Sequence, residues 1–501
     1  MQSRAPHRTA GASLLMAAGT VVTLVSAAVA FRHSFVMDPS MPMDHMPAKP
    51  STASHPLQGM ELSEMPEMFV ALGGLLLVLL GAALRGRPEA APVAAPSRAG
   101  RGGRVLIAVI GTAALTIDIS KTSTLGFVLP GMRAEYGLTP STASLLAVCG
   151  LTGTALGAML FGVLTDRIGR RGSYLIATLG FTATSMCGSM PTFHGNLVMC
   201  GLMGLAVGGL APLLITLLIE TVGGRTRGSV VTALSVAATA IGYLVAAGSA
   251  LWLEPRYGWR VLWLIGAPTG AVLALLAPFV PHFTAPAAPA AARSDAAEAI
   301  RNRVPVRGFT SGLQYVFATL IGLLTFGLTT WVPSLARLGG VSVHTANLML
   351  TVAAVVMVPC ALLLMLGYRR FGPTVVAAGM ATLTAVLLLA LTVTGAVAAV
   401  AWICAGALVA ALFSVNSMAA IFLPIAADLA DPSRRGRTTG TVSFFNRLGG
   451  LCGPLLLAGL VSSASDVLTA VAVLALLCAG AAWFIGRRHR LTRTAVQAAA
   501  E

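Results

Sequence analysis

Residues 162–172 have the sequence GVLTDRIGRRG, and this stretch determines how the rest of the chain is interpreted. Apolar segments lie on both sides of it, at 141–163 and 173–190, and each is close to the roughly 20 residues that a transmembrane helix needs. Three arginines in so short a stretch are typical of a loop on the inner face of a membrane. The stretch therefore predicts a tight inner loop between two membrane-spanning helices.

Apolar segments of this length recur along the whole chain of 501 residues. Hydrophobic residues make up 56% of the sequence and charged residues 10%, whereas soluble domains have about 45–50% and about 25%. The mean hydropathy is +0.84. This composition excludes a soluble enzyme, a disordered chain and a disulfide scaffold. Fourteen spans are predicted, near residues 11–31, 68–84, 105–129, 141–163, 173–190, 196–219, 229–252, 261–281, 310–333, 345–366, 374–394, 396–422, 439–462 and 467–486.

The distribution of basic residues tests this series of spans. With the N-terminus inside, 25 of the 33 Lys and Arg residues fall in inner segments and six in outer segments. Such an excess of basic residues marks the cytoplasmic side of membrane proteins. The formal net charge of +16 therefore reflects topology and not nucleic-acid binding. It predicts a multi-pass protein of the bacterial cytoplasmic membrane with both termini in the cytoplasm.

The spans divide the chain into five predicted segments. A two-helix extension with an outer loop and a linker covers 1–100, and a first six-helix bundle covers 101–281. A cytoplasmic linker rich in Pro and Ala covers 282–309, a second six-helix bundle covers 310–487, and a cytoplasmic tail covers 488–501. The first span has flanks like those of a cleavable signal peptide, but its length of about 21 residues favours retention as an anchor.

The two bundles carry matching inner loops, which indicates two parallel repeats. Arg167 and Gly169 correspond to Arg370 and Gly372 at an offset of 203 residues. An excess of arginine in inner loops explains the arginines but not this spacing. A second pair of loops matches at an offset of 208 residues: Glu220 with Asp428, and Arg227-Gly228 with Arg435-Gly436.

The loop GVLTDRIGRRG resembles the signature loop of the major facilitator superfamily, and the resemblance covers residues 105–487. The sequence FNRLGGLCGP at 445–454 resembles the eleventh span of the metabolite:proton and aromatic acid:proton symporter branches. The resemblance implies an all-α polytopic membrane protein with the twelve-helix major facilitator fold of two six-helix bundles, here with two extra N-terminal transmembrane helices. It also implies a monomeric transporter, not an enzyme.

In this family the signature loop acts as a cytoplasmic gate that is made and broken as the two bundles rock. The resemblance assigns this gate role to loop residues and to the acid–base pairs of the equivalent loops: Gly162, Asp166, Arg167, Gly169, Arg170, Arg171, Glu220, Arg227, Asp428 and Arg435. The chain departs from the family at Cys200, where many proton-coupled members carry Arg. Arg369 also stands where the first repeat has Asp166.

Three ionisable residues fall inside predicted spans, where a charge costs about 2.5–3.5 kcal/mol on insertion scales. Asp118 and Lys121 are three residues apart in the first core span, so we expect them to share a helix face and to pair. Asp118 is then either a proton-coupling carboxylate, with Lys121 as its partner or as an anchor for an anionic substrate, or half of a structural ion pair. Arg447 either binds an anionic substrate or closes the inner gate near Asp428.

The outer loop between the two extra spans is rich in methionine, with six Met in residues 32–65. Thioether and imidazole ligands together select Cu(I) and similar soft ions. A metal site here would use Met37, Met41, Met43, His45 and Met46. The alternative is a loop that is rich in Met without binding metal.

These features favour a secondary active transporter that takes up a small organic metabolite, such as an organic acid, together with protons. Its partners are the small-molecule substrate, protons and the lipid bilayer, with no nucleic acid and no cofactor apart from copper at the outer loop if that loop binds metal. The alternative is copper or other soft-metal transport, import or efflux, with the outer loop as a capture arm. A third hypothesis is a membrane-bound metal-binding or sensing module with a vestigial transporter core.

Overall fold

The computed structural model describes most of the chain: residues 5–35, 57, 65–85, 101–186, 190–222, 227–281, 304–338, 348, 351–352, 355, 359, 363–395, 401–430, 435–458 and 463–498. Within these ranges all regular structure is helical. We call the end that carries Gly169 and Gly372 the inner end, and the end that carries Trp259 the outer end, after the topology predicted above.

The first part of the chain forms ten α-helices, two in the extension and eight in the first half. They are α1 (Ala5–Phe35), α2 (Pro66–Arg85), α3 (Arg101–Tyr136), α4 (Pro140–Thr184), α5 (Phe193–Gly208), α6 (Leu210–Val222), α7 (Arg227–Trp252), α8 (Glu254–Tyr257), α9 (Val261–Leu264) and α10 (Gly266–Leu275). A short 3-10 helix, Ala277–Phe279, follows α10.

Local sequence explains several of these boundaries. The Thr139 hydroxyl accepts a hydrogen bond from the Thr142 amide at 3.2 Å, and Pro140 occupies the first turn of α4, both of which favour a helix start. The Thr192 hydroxyl caps α5 in the same way. The range of α4 covers two predicted spans, and a kink at Gly169, with φ 84° and ψ 169°, separates them.

The second half contains five further α-helices within the described residues. They are α11 (Val304–Leu338), α12 (Pro373–Val393), α13 (Ala401–Leu429), α14 (Arg435–Ala458) and α15 (Ala464–Ala498). Residues 363–371 are also helical. Helix α14 packs along α11, and the Asn446 side-chain amide donates to the Ala318 carbonyl at 3.0 Å.

Ten helical stretches in the described ranges are long and apolar enough to cross a membrane. The chain is therefore an all-α, multi-pass membrane protein. The count of twelve core spans plus two stays a prediction, because the span predicted at 345–366 falls largely outside the described residues. The predicted segment boundaries also stay predictions.

Helices α1 and α2 form a hairpin that packs on the first half. Their backbones approach closely, since a Cβ at Gly81 would lie 2.8 Å from the Ala12 carbonyl oxygen. The Thr23 hydroxyl donates to the Ala71 carbonyl at 3.2 Å across the same contact. Helix α2 packs against α4, and α1 touches α4 and α10. Both helices of the hairpin thus pack on the first half.

Candidate functional site

A cavity of about 160 Å³ lies between the two halves. Helices α3, α4, α6 and α7 of the first half line it together with α11, α13 and α14 of the second half. Its walls are mostly apolar, with hydroxyl groups from several helices. The cavity therefore offers a small-molecule site to which both halves contribute.

Asp118 brings a carboxyl group from α3 to this cavity. Asp118 is 2% exposed, and its Oδ1 atom has no hydrogen-bond partner among the described residues. The hydroxyls that follow it on α3 are engaged elsewhere, because Thr122 and Ser123 donate back to the carbonyls four residues before them. The Asp118 carboxyl is therefore the acceptor that α3 leaves for a ligand or a proton.

Arg447 lines the same cavity from α14, in the other half. It is 9% exposed, its guanidinium lies 5.0 Å from the centre of the Phe326 ring, and Nε has no hydrogen-bond partner in the described part of the chain. Asp118 and Arg447 attract each other electrostatically. Among the described residues no ion pair shorter than 4.0 Å joins them. The cavity thus holds one acid and one base with space for a ligand.

Lys121 lies elsewhere, so the expected pairing with Asp118 is corrected. Its ammonium group donates to the Leu262 carbonyl at 2.8 Å, beside the break between α9 and α10. It lines a second, smaller cavity with Cys200 and Trp263. Residues three apart on a helix still point about 60° apart, and here this angle sends the two side chains toward different neighbouring helices.

The predicted gate residues whose side chains are described lie at the inner end. A Cβ at Gly162 would lie 3.2 Å from the Gly436 carbonyl oxygen, and a Cβ at Gly440 would lie 2.7 Å from that of Ala158. These glycines let α4 of the first half and α14 of the second meet backbone to backbone. The two halves are in contact at this end.

The arginines of the gate motif differ in their surroundings. Arg167 is exposed, whereas Arg170 is buried and donates to the Thr165 carbonyl at 3.4 Å. Arg171 donates to the Ala277 carbonyl at 3.0 Å. Arg435 is buried and donates to the Ala427 carbonyl at 2.9 Å. The side chains of Asp166, Glu220, Arg227 and Asp428 lie outside the described part of the structure.

Tyr243 also lines the cavity, and the sequence did not single it out. Its hydroxyl interacts with the side chains of Ser123, Thr329 and Asn416, and the last two belong to the second half. One signal was available for Tyr243, namely an aromatic hydroxyl inside a predicted span.

A second polar cluster, distinct from the cavity, lies at the outer end of the first half. Trp259 Nε1 donates to the Glu135 carboxylate at 2.8 Å, and Arg260 forms an ion pair with the same group. Arg260 also donates to the Tyr136 hydroxyl at 3.0 Å and lies over the Trp259 ring. This cluster ties the outer end of α3 to the segment after α8.

The predicted metal ligands Met37, Met41, Met43, His45 and Met46 lie outside the described residues.

Several named proteins are similar to this chain in sequence. Two relatives are named for niacin. One is a NiaP protein of Bacillus subtilis (strain 168), named for niacin and nicotinamide. It is 24% identical to this chain over 400 residues, which cover 78% of this chain and 97% of the relative. The other is the niacin transporter NiaP of Acinetobacter baylyi, 31% identical over 150 residues, 30% of this chain and 34% of the relative. The gallate transporter of Pseudomonas putida is 30% identical over 275 residues, 48% of this chain and 60% of the relative.

Solved structures show the same architecture. The crystal structure of a D-xylose-proton symporter superimposes with a TM-score of 0.59 at 17% identity, over 76% of this chain and 97% of that one. This likeness concerns the fold alone. The family model of the Major Facilitator Superfamily matches residues 110–421 and 339–500. This match covers most of the chain, and it agrees with the two halves around a cavity and with the apolar helices. The chain therefore belongs to the Major Facilitator Superfamily, whose members are transporters and not enzymes.

Proposed function

We propose that the protein takes up a small aromatic carboxylate together with protons, by alternating access through the cavity that Asp118 and Arg447 line. One observation carries this proposal: an acid from the first half and a base from the second half face one cavity, each with a buried polar atom that has no partner among the described residues. Groups of this kind inside a membrane protein are costly and mark substrate and ion pathways.

Arg447 is the proposed anchor for the substrate. A guanidinium binds a carboxylate through two parallel hydrogen bonds, which gives both affinity and orientation. The Phe326 ring beside it adds an apolar wall against which a planar ring can pack. The relatives named for niacin and gallate support a substrate of this shape, since both compounds carry a carboxylate on a six-membered aromatic ring.

Asp118 is the proposed proton carrier. Asp118 and Arg447 face the same cavity, so the positive charge of the guanidinium attracts a negative charge on the carboxyl group across it. An anion bound at Arg447 competes for that charge, so loading the anion favours a proton on Asp118. Substrate and proton then enter the cavity together, and neither crosses efficiently alone. This is a coupling mechanism that needs no direct contact between Asp118 and the substrate.

Alternating access would use the contacts at the two ends of the cavity. The glycine contacts between α4 and α14 join the halves at the inner end, and we propose that the contact of Tyr243 with Thr329 and Asn416 closes the outer side. Rocking of one half against the other opens one set of contacts at a time, as in other transporters built from repeats. We place both termini in the cytoplasm on the strength of the basic residues in the inner segments.

We do not propose copper transport. A cavity that presents a guanidinium suits an anion and not a metal cation.

Uptake into proteoliposomes tests the proposed function. The panel contains nicotinate, benzoate and gallate, with nicotinamide as an uncharged match for nicotinate, D-xylose as a sugar, and copper(I) as the test of the alternative. We expect accumulation of at least one carboxylate, driven by an inward proton gradient and absent with nicotinamide. Transport of nicotinamide at the rate of nicotinate, or of copper alone, would contradict the proposal.

A further inference from the structure

Hydroxyl groups in the wall of the cavity mostly bond within their own helices. The hydroxyls of Thr122, Ser123, Thr239 and Thr329 each donate to the carbonyl four residues earlier in the chain. Serine and threonine inside a helix often bond back in this way, and a hydroxyl has a single proton to donate. These four groups therefore use their protons inside the protein.

Thr325 lines the same cavity from α11 and departs from this pattern. Its Oγ1 atom is buried and has no hydrogen-bond partner among the described residues. A buried hydroxyl without a partner is unfavourable, because it has lost its bonds to water. Rotation about χ1 exchanges the hydroxyl and the methyl group of a threonine, so the hydroxyl can turn toward the cavity without movement of the helix. The Thr325 hydroxyl is thus a donor and an acceptor that the described part of the chain leaves unused.

The repeat between the two halves makes this difference more informative. Thr122 and Thr325 stand 203 residues apart, the offset that also relates the inner turns of the two halves. Helices α3 and α11, which carry them, begin at Arg101 and Val304 with the same offset. The two halves therefore place equivalent hydroxyls in one cavity. That of Thr122 bonds to its own helix at 3.0 Å, whereas that of Thr325 has no partner in the described residues.

Thr325 lies beside the proposed anchor for the carboxylate. It directly precedes Phe326, whose ring centre lies 5.0 Å from the Arg447 guanidinium. All three residues line a cavity of only about 160 Å³. A substrate whose carboxylate binds Arg447 and whose ring packs on Phe326 therefore lies near Thr325.

We propose that Thr325 determines specificity, because its hydroxyl bonds a second polar group on the ring of the substrate, such as a phenol hydroxyl or a pyridine nitrogen. This inference rests on the proposed function and narrows its substrate class to aromatic carboxylates with such a group. A hydroxyl can donate to a ring nitrogen and can donate to or accept from a phenol. A site that bonds such a group discriminates against the analogue that lacks it, since its own polar group then stays unpaired.

The test measures binding to the purified full chain in detergent by calorimetry, with benzoate, 3-hydroxybenzoate and nicotinate as ligands. We expect the wild type to bind at least one of the last two more tightly than benzoate. Thr325→Val replaces the hydroxyl by a methyl group at nearly the same shape. It should raise the Kd of the preferred compound by about threefold to tenfold, as expected for one lost hydrogen bond, and leave the Kd of benzoate unchanged. Thr325→Ser keeps the hydroxyl and should keep the preference.

Thr319→Val is the matched control. Thr319 lies on the same helix and donates to the Tyr315 carbonyl at 2.8 Å, away from the cavity lining described above. This variant should keep the wild-type preference. Loss of affinity for benzoate as large as that for the other compounds in Thr325→Val would show a structural role and would overturn the inference.

Two further results separate this inference from the proposed function. If benzoate binds but the wild type shows no preference, or Thr325→Val keeps the full preference, the inference fails and the proposed function stands. If none of the three carboxylates binds to the wild type, the proposed function fails, and the inference fails with it.

Discussion

Gly169 and Gly372 have nearly the same backbone conformation, with φ 84° and ψ 169° at the first and φ 86° and ψ 162° at the second. They stand 203 residues apart, each at the inner turn between two helices of its own half. The positive φ is easily reached only by glycine. The two halves thus repeat one turn geometry, which supports the view that they are copies of one unit.

Alanine at Gly372 should therefore destabilise the protein. Nothing lies within 4 Å of a Cβ placed there, so the strain comes from the backbone alone. We expect a loss of about 1–3 kcal/mol, measured as a lower Tm in detergent. Gly379→Ala is the matched control, since this glycine lies in the helix α12 with open space around it. It should be neutral or stabilising by up to about 1 kcal/mol. Equal effects at both positions would contradict this explanation.

Replacement of Arg447 should weaken binding of the anionic substrate. Arg447→Gln removes the charge and the paired hydrogen bonds to a carboxylate, so we expect KM to rise by about tenfold or more, from a loss of 1.5–3 kcal/mol per charged hydrogen bond. Arg447→Lys keeps the charge and should be intermediate. Initial uptake rates against substrate concentration give the values. An unchanged KM in Arg447→Gln would place the substrate elsewhere.

Tyr243→Phe removes the hydroxyl that reaches Thr329 and Asn416 in the second half. Loss of hydrogen bonding worth about 0.5–1.5 kcal/mol should weaken closure of the outer side and lower kcat several-fold. Tyr257→Phe removes a hydroxyl from the outer helix α8, away from the cavity, and should transport normally. Equal rates for wild type and Tyr243→Phe would show that this bridge has no part in closure.

Lys121 is expected to matter for stability and not for proton coupling. Lys121→Met leaves the Leu262 carbonyl without its donor, at a cost of about 1–3 kcal/mol. Tm should fall, whereas the dependence of uptake on the proton gradient should stay as in the wild type. A change in coupling with an unchanged Tm would return Lys121 to the coupling role that the sequence first indicated.

Much of the architecture could be predicted from the sequence because its signals are local. Apolar length predicts spans, and the arginine and glycine spacing of the inner loops predicted the turns now seen at Gly169 and Gly372. Asp118 and Arg447 could be selected because a charge inside a membrane is costly. Their meeting in one cavity could not be predicted, since 329 residues separate them and spacing along the chain carries no distance in space.

Other features required the packing of neighbouring helices. The partner of Lys121 is a carbonyl at the break between α9 and α10, and hydropathy does not reveal where a span is broken. Tyr243 was missed because its role depends on which residues of the other half lie opposite it. Side chains inside a bundle are identified by their neighbours, and a single sequence does not supply these.

Substrate-driven proton movement tests the central claim most directly. Proteoliposomes with a trapped pH-sensitive dye and no imposed gradient receive the best carboxylate of the panel, and protein-free vesicles correct for passive entry of the acid. We predict that wild-type protein acidifies the lumen, whereas Asp118→Asn does not and yet still exchanges labelled for unlabelled substrate. Acidification by Asp118→Asn at the wild-type rate would contradict the assignment of Asp118 as the proton carrier.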